Sequence, residues 1–125
     1  MLNKAKLVGF AATKNPAAAK EFYGHALGLP LVEDTPFAIV FEANGTMLRI
    51  QKVEALAPAG HTTLGWSVDD IRATIEHLMT KGVRFERFDP LPQDALGIWT
   101  TPDGSRVAWF KDVDGNILSL TEFRR

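Results

Sequence analysis

The 125-residue sequence predicts an α+β domain of two βαβββ modules, their sheets curved around a central cleft. Three observations carry that prediction. Two amphipathic helices each begin at a polar cap and stop at a glycine. The two start–stop pairs are offset by the same distance along the chain. Short strands separated by hairpin-turn dipeptides follow each helix.

The first module, about residues 5–53, opens with an apolar strand and enters a helix through Asn15 and Pro16. Asparagine suits the N-cap, and proline suits the first helical position because its missing N–H is not needed there. Ala19, Phe22, Tyr23 and Ala26 or Leu27 recur at helical spacing, and Gly28 supplies the stop. Strands are expected over about 30–34, 37–43 and 47–53, the last two joined by Asn44-Gly45.

Residues 54–61 have a linker's composition. The second module, about 62–123, repeats the plan: strand, Asp69 as cap, a stripe of Ile71, Ile75, Leu78 and Met79, then Gly82 as stop. Asn15 to Asp69 and Gly28 to Gly82 are each 54 positions apart. Strands are expected over about 84–88, 106–111 and 117–123, with an extra edge strand over about 98–101 around Trp99. Turns fall at Asp103-Gly104 and Asp114-Gly115. Identity between the halves is poor, so the repeat is architectural.

Composition narrows the function classes. Hydrophobic residues make up 46% of the chain, enough for a core without staples. There is no cysteine, so disulfides, thiolate metal sites and cysteine nucleophiles are all excluded. A formal charge of −1 without long charged runs argues against nucleic acid or an anionic membrane as partner. The apolar stretch near the N-terminus is too short for a signal peptide or a membrane span, so a soluble cytoplasmic domain is expected.

The segments KEFYGHALGLPLV after the Asn-Pro cap, WSVDDI before the second helix, and VAWFKDVDGNILSL near the C-terminus carry a family resemblance. Together they resemble the vicinal oxygen chelate superfamily, which includes glyoxalase I, bleomycin-binding proteins and extradiol dioxygenases. The resemblance spans almost the whole chain. It implies the paired-module fold, a small-molecule ligand and a homodimer, but no particular chemistry, because this fold hosts lyases, isomerases, oxygenases and plain binders. It also implies four positions for a divalent metal's ligands, on the first and last strands of each module. Those positions hold Val8, Arg49, Thr63 and Ser119. Valine has no donor atom, arginine brings a positive charge, and neutral hydroxyls are weak ligands for zinc, nickel or iron. A cleft without metal or other cofactor is therefore expected. A two-residue slip would instead offer Phe10, Gln51, His61 and Thr121 on the same faces.

The expected ligand-binding residues are Val8, Phe10, Arg49, Gln51, Thr63, Trp99 and Ser119. Arg49 either meets an anionic group of the ligand or pairs internally with Glu42, Asp94 or Glu122. Trp66 alternates with Leu64 and Val68 and is expected under the helix, whereas Trp99 follows a loop suited to a flap. The face taken by Trp109 stays open. His25 and His77 fall on helices at exposed or boundary positions. His61 has no orienting partner in the sequence, no serine has a nucleophile's context, and no catalytic residue is assigned. DVDGN at 112–116 lacks the glycine and glutamate of a calcium loop and reads as a hairpin turn. Asn44-Gly45-Thr46 matches a glycosylation sequon but is read as a turn.

The reading is thus a metal-free binder of a small, partly apolar molecule, with Arg49 available to an anionic group. The alternative is a metal-dependent lyase, isomerase or dioxygenase built around Gln51 and His61.

Overall fold

The computed structural model describes residues 1–125. The chain divides into two compact units, Met1–Pro58 and Ala59–Arg125, each containing one four-stranded mixed sheet.

In the first unit, β1 (Val8–Thr13) leads into α1 (Pro16–Glu21), and β2 (Leu31–Asp34), β3 (Ala38–Ala43) and β4 (Thr46–Lys52) follow. The sheet order is β1-β4-β3-β2, with β1 parallel to β4 and the other pairs antiparallel. Asn44 and Gly45 both take positive φ, as a tight two-residue hairpin turn requires. Residues Ala11, Thr13, Leu48, Ile50, Ile39 and Phe41 are buried along these strands. Tyr23, wholly buried, packs its ring 6.0 Å from that of Phe41 and anchors the helical segment to the core. Burying such side chains contributes about 1.5–3 kcal/mol each before entropy is counted.

The expected helix over 16–27 is not α-helical throughout. After Glu21 the chain widens into a π turn, Phe22–Ala26, closed by the Leu27 N–H donating to the Phe22 carbonyl at 2.9 Å. Pro16 does stand in the first turn and Asn15 at the N-cap, but the Asn15 side chain makes no capping bond. Its backbone N–H instead donates to Thr13 Oγ1 at 2.9 Å. Gly28 ends the segment at φ +77°.

The second unit has β5 (Thr62–Ser67), α2 (Ile71–Thr80), β6 (Trp99–Thr100), β7 (Arg106–Lys111) and β8 (Ile117–Glu122), ordered β5-β8-β7-β6. The cap of α2 is Asp70 and not Asp69: Asp70 Oδ1 accepts the Ala73 N–H at 3.0 Å. Asp69 lies one residue outside and accepts from Arg125 at 2.7 Å. The caps are therefore not offset equally, although Gly82 does end α2 at φ +88°. Ile71, Ile75 and Leu78 are buried as expected, whereas Met79 is 52% exposed. The buried stripe is one residue narrower than the sequence suggested.

No strand forms over 84–88. Phe85 makes one isolated bridge to Phe110, and the fourth strand of the sheet is the short β6 around Trp99, narrower than the expected 98–101. The Glu86 N–H still donates to the Trp109 carbonyl at 2.8 Å, but loop side chains take the next backbone groups along. Gln93 donates to the carbonyls of Glu86 and Gly97 and accepts the Phe88 N–H, at 3.0, 2.8 and 2.7 Å. Asp94 Oδ1 accepts the N–H groups of Leu96 and Ile98, each at 2.9 Å. Arg87 donates to the carbonyls of Asp94 and Ala95. Such side-chain-to-backbone bonds compete directly with sheet pairing. The DVDGN segment is a turn, drawn together by Asp112, whose Oδ1 accepts the N–H groups of Asp114 and Asn116.

Candidate functional site

In each unit, register and burial separate a core face, which carries the helical segment, from an open face. On β4 of the first unit, Leu48 and Ile50 are buried, and Met47, Arg49 and Gln51 alternate with them. On β1 their partners are Val8, Phe10 and Ala12, paired with Met47, Arg49 and Gln51 respectively. Four residues singled out from the sequence, Val8, Phe10, Arg49 and Gln51, therefore share one sheet face. Phe10 is 49% exposed there despite being a large apolar ring.

Arg49 lies mid-row, between Phe10 on one strand and the buried Val40 on the other. Its guanidinium has no carboxylate partner; its only polar neighbour is the sulfur of Met47, at 3.9 Å. The three candidate internal partners are engaged elsewhere. Glu42 accepts the Gly45 N–H, Asp94 faces Arg72 at 3.7 Å, and Glu122 takes the Ile71 N–H at 3.0 Å and faces Arg106. On the core side of this unit, Asp34 is held between Lys52 at 2.6 Å and Lys20 at 3.5 Å. The Lys52 hydrogen bond, chiefly, keeps its carboxyl below the ordinary value.

On the second unit, Ser119 is paired with Gly65 on one side and Trp109 on the other. A Cβ at Gly65 would stand 2.7 Å from Ser119 Oγ, so any larger residue there would force that hydroxyl to turn away. Ser119 is only 7% exposed, yet its hydroxyl makes no hydrogen bond within the protein. Thr63 falls in a β-bulge between Thr62 and Leu64, so it is exposed and has no ladder partner. Trp66 pairs with the buried Leu120, on the core side as expected.

Trp109 takes the open face, the point that alternation alone left undecided. Its indole N–H donates to Thr62 Oγ1 at 3.2 Å, Trp99 stacks on it at 6.2 Å, and Phe88 meets it edge-on at 5.6 Å. Beside it is a pocket of about 290 Å³ lined by Gly60, His61, Thr62, Phe88, Leu91, Trp109 and Ile117. Sequence reasoning did not weigh Phe88 or Leu91, and it gave His61 a role only as a metal ligand in the alternative reading. The hairpin register held the missing signal: pairing around the 112–116 turn sets Trp109 opposite Ser119.

The donor chemistry at the four positions that the resemblance implies for metal ligands does not fit a divalent cation. In the first unit, Val8 offers nothing and Arg49 repels a cation. In the second, Ser119 and Thr63 are neutral hydroxyls. Gln51 and His61 are both exposed, and no group of three His, Asp or Glu side chains stands around either.

These features define a duplicated βαβββ protein that gathers polar and aromatic side chains on the sheet faces opposite its cores. The family model described as Glyoxalase/Bleomycin resistance protein/Dioxygenase superfamily matches residues 8–120, and the chain belongs to that superfamily. Among solved structures it is similar to a glyoxalase family protein from Bacillus anthracis, at TM-score 0.72 and 16% identity, covering 99% of this chain and 100% of that one. It is similar also to a lactoylglutathione lyase from Agrobacterium tumefaciens, at 0.69 and 20%, covering 95% and 93%. An antibiotic binding protein from a Streptomyces species aligns at 0.68 and 22%, covering 97% and 98%. At these identities the likeness concerns the fold. No curated protein matches the chain. No helix is long and apolar enough to cross a membrane.

Proposed function

We propose that the protein binds a small, partly apolar molecule without a metal, and that Arg49 receives an anionic group of that ligand. The observation that carries this reading is the half-buried Arg49 guanidinium without a carboxylate partner, set in an apolar row with Val8, Phe10 and Val40. A partly desolvated, unpaired charge is costly, and a carboxylate or phosphate would offset that cost through bidentate hydrogen bonds. Gln51 on the same face would orient the ligand's polar edge. The antibiotic binding protein among the structural neighbours is consistent with this fold serving as a binder. The same reading treats the chain as one domain acting as a homodimer in the cytoplasm.

The test is a thermal-shift screen of small carboxylates and phosphates against untagged protein, followed by calorimetry on Arg49→Ala. Hydrogen bonds to a charged group contribute about 1.5–3 kcal/mol, so binding should weaken by about 10–100-fold. Metal analysis of the same preparation should find no stoichiometric divalent ion. Stoichiometric zinc, nickel, iron or manganese, with strong stabilisation on re-addition, would transfer the protein to the metal-dependent enzymes.

A further inference from the structure

We propose that the pocket beside Trp109 is a subsite for a flat aromatic ring bearing an O–H or N–H donor, which His61 accepts. This deepens the small-molecule reading by naming a ligand class, and it involves residues of the second unit alone.

Three observations converge on it. The first is the state of Trp109. Its one polar atom is already bonded to Thr62 Oγ1, so the ring is fixed in orientation and offers the pocket only its π surface. Trp99 stacked against it and Phe88 set edge-on, at 88° between planes, complete an aromatic wall. Aromatic pairs in offset and edge-to-face contact gain more than the area they bury accounts for, so such a wall favours a ring.

The second is His61. Its Nδ1 lies 3.1 Å from the Thr62 carbonyl, which can only accept, so that bond requires the proton on Nδ1. In the neutral ring Nε2 is then an acceptor, and nothing in the protein donates to it. It is the polar acceptor left over on a lining otherwise composed of Phe88, Leu91, Trp109 and Ile117 with Gly60 and the occupied Thr62.

The third is size and support. About 290 Å³ falls at the small end of ligand pockets, which suits a fragment of one or two rings. The Phe88 wall is held in place because the Phe88 N–H donates to Gln93, whose amide also ties the loop to Glu86 and Gly97. A ring entering here meets a preformed wall and pays little to order it.

The experiment is a titration of the ¹⁵N-labelled full chain with 2-naphthol and with 2-methoxynaphthalene, which lacks the donor. The three indole N–H signals are assigned by Trp66→Phe, Trp99→Phe and Trp109→Phe. The Trp109 and Trp99 signals should move and the Trp66 signal should not. 2-Naphthol should bind about 5-fold tighter, the value of one hydrogen bond, and His61→Ala should abolish that preference. Phe88→Ala should weaken both probes by about 2–10-fold. Leu91→Phe narrows the pocket without touching the core, should also weaken both probes, and is the second variant where Phe88→Ala disturbs the loop. Arg49→Ala should leave both probes unaffected, so failure of the anion anchor and failure of this subsite are separate results. Movement of Trp66 together with the others, no movement at millimolar probe, or a preference that survives His61→Ala would each overturn the proposal.

Discussion

The two units share one plan and hold it together by different means. In the first, the sheet is completed by backbone pairing, since β2, β3 and β4 form an antiparallel run, with a two-residue turn between β3 and β4. In the second, the corresponding stretch after the helix is a loop whose backbone groups are satisfied by Gln93, Asp94 and Arg87, and only two residues of β6 complete the sheet. The helices differ likewise. A short α1 relaxes into a π turn that seats Tyr23, whereas α2 runs ten residues from a side-chain cap. Duplicated architecture thus fixes where elements lie and leaves open how each is stabilised. The open faces diverge most: one presents an unpaired cation among apolar neighbours, the other an aromatic wall with a hydroxyl.

The sharpest way to break this comparison is at Gln93. Gln93→Ala removes three bonds to partly buried backbone groups and should cost about 2 kcal/mol in urea unfolding, with faster amide exchange concentrated at residues 86–98. An unchanged midpoint and unchanged exchange would mean that the loop is held by packing instead. A smaller effect is expected at the start of α2. Asp70→Ala should lose about 1 kcal/mol, while Asp69→Ala, at an exposed ion pair, should lose under about 0.5 kcal/mol. The reverse order would restore Asp69 as the cap. The smallest effect concerns Asp34. Because its folded value is lowered, its contribution to stability is present above the ordinary carboxylate value and fades as pH falls through the lowered one. Lys52→Met should move the Asp34 titration, followed by carbon-detected NMR, back up toward the ordinary range.

The fold was readable because it rests on local signals: the glycine stops, the Asn44-Gly45 turn and the strand alternation all survive in the structure. Two consecutive aspartates made the α2 cap ambiguous by one residue, and only the bond to Ala73 distinguishes them. Residues 84–88 alternate like a strand, but after one contact with β7 at Phe85 and Glu86 the Gln93 side chain takes over their backbone groups, and no local pattern reports that. The same limit governed the site. Arg49 stood out because a charge in an apolar alternation is conspicuous within its own strand. The Trp109 pocket depends on a hairpin register and a loop, so Phe88, Leu91 and His61 meet only once the chain is folded.

The bulge in β2, between Leu31 and Glu33, has a further consequence. β2 forms an outer margin of its sheet and is exposed along its whole length, the apolar Leu31 and Val32 included. A straight, uncharged strand in that place would be a template onto which other chains could add and grow into aggregates. The irregular register disrupts the template, and Glu33 and Asp34 place carboxylates along it. The second unit meets the same hazard by keeping β6 only two residues long. These two margins are thereby poor templates for strand addition, in a chain that also exposes Phe10, Met47 and Val8 on a sheet face.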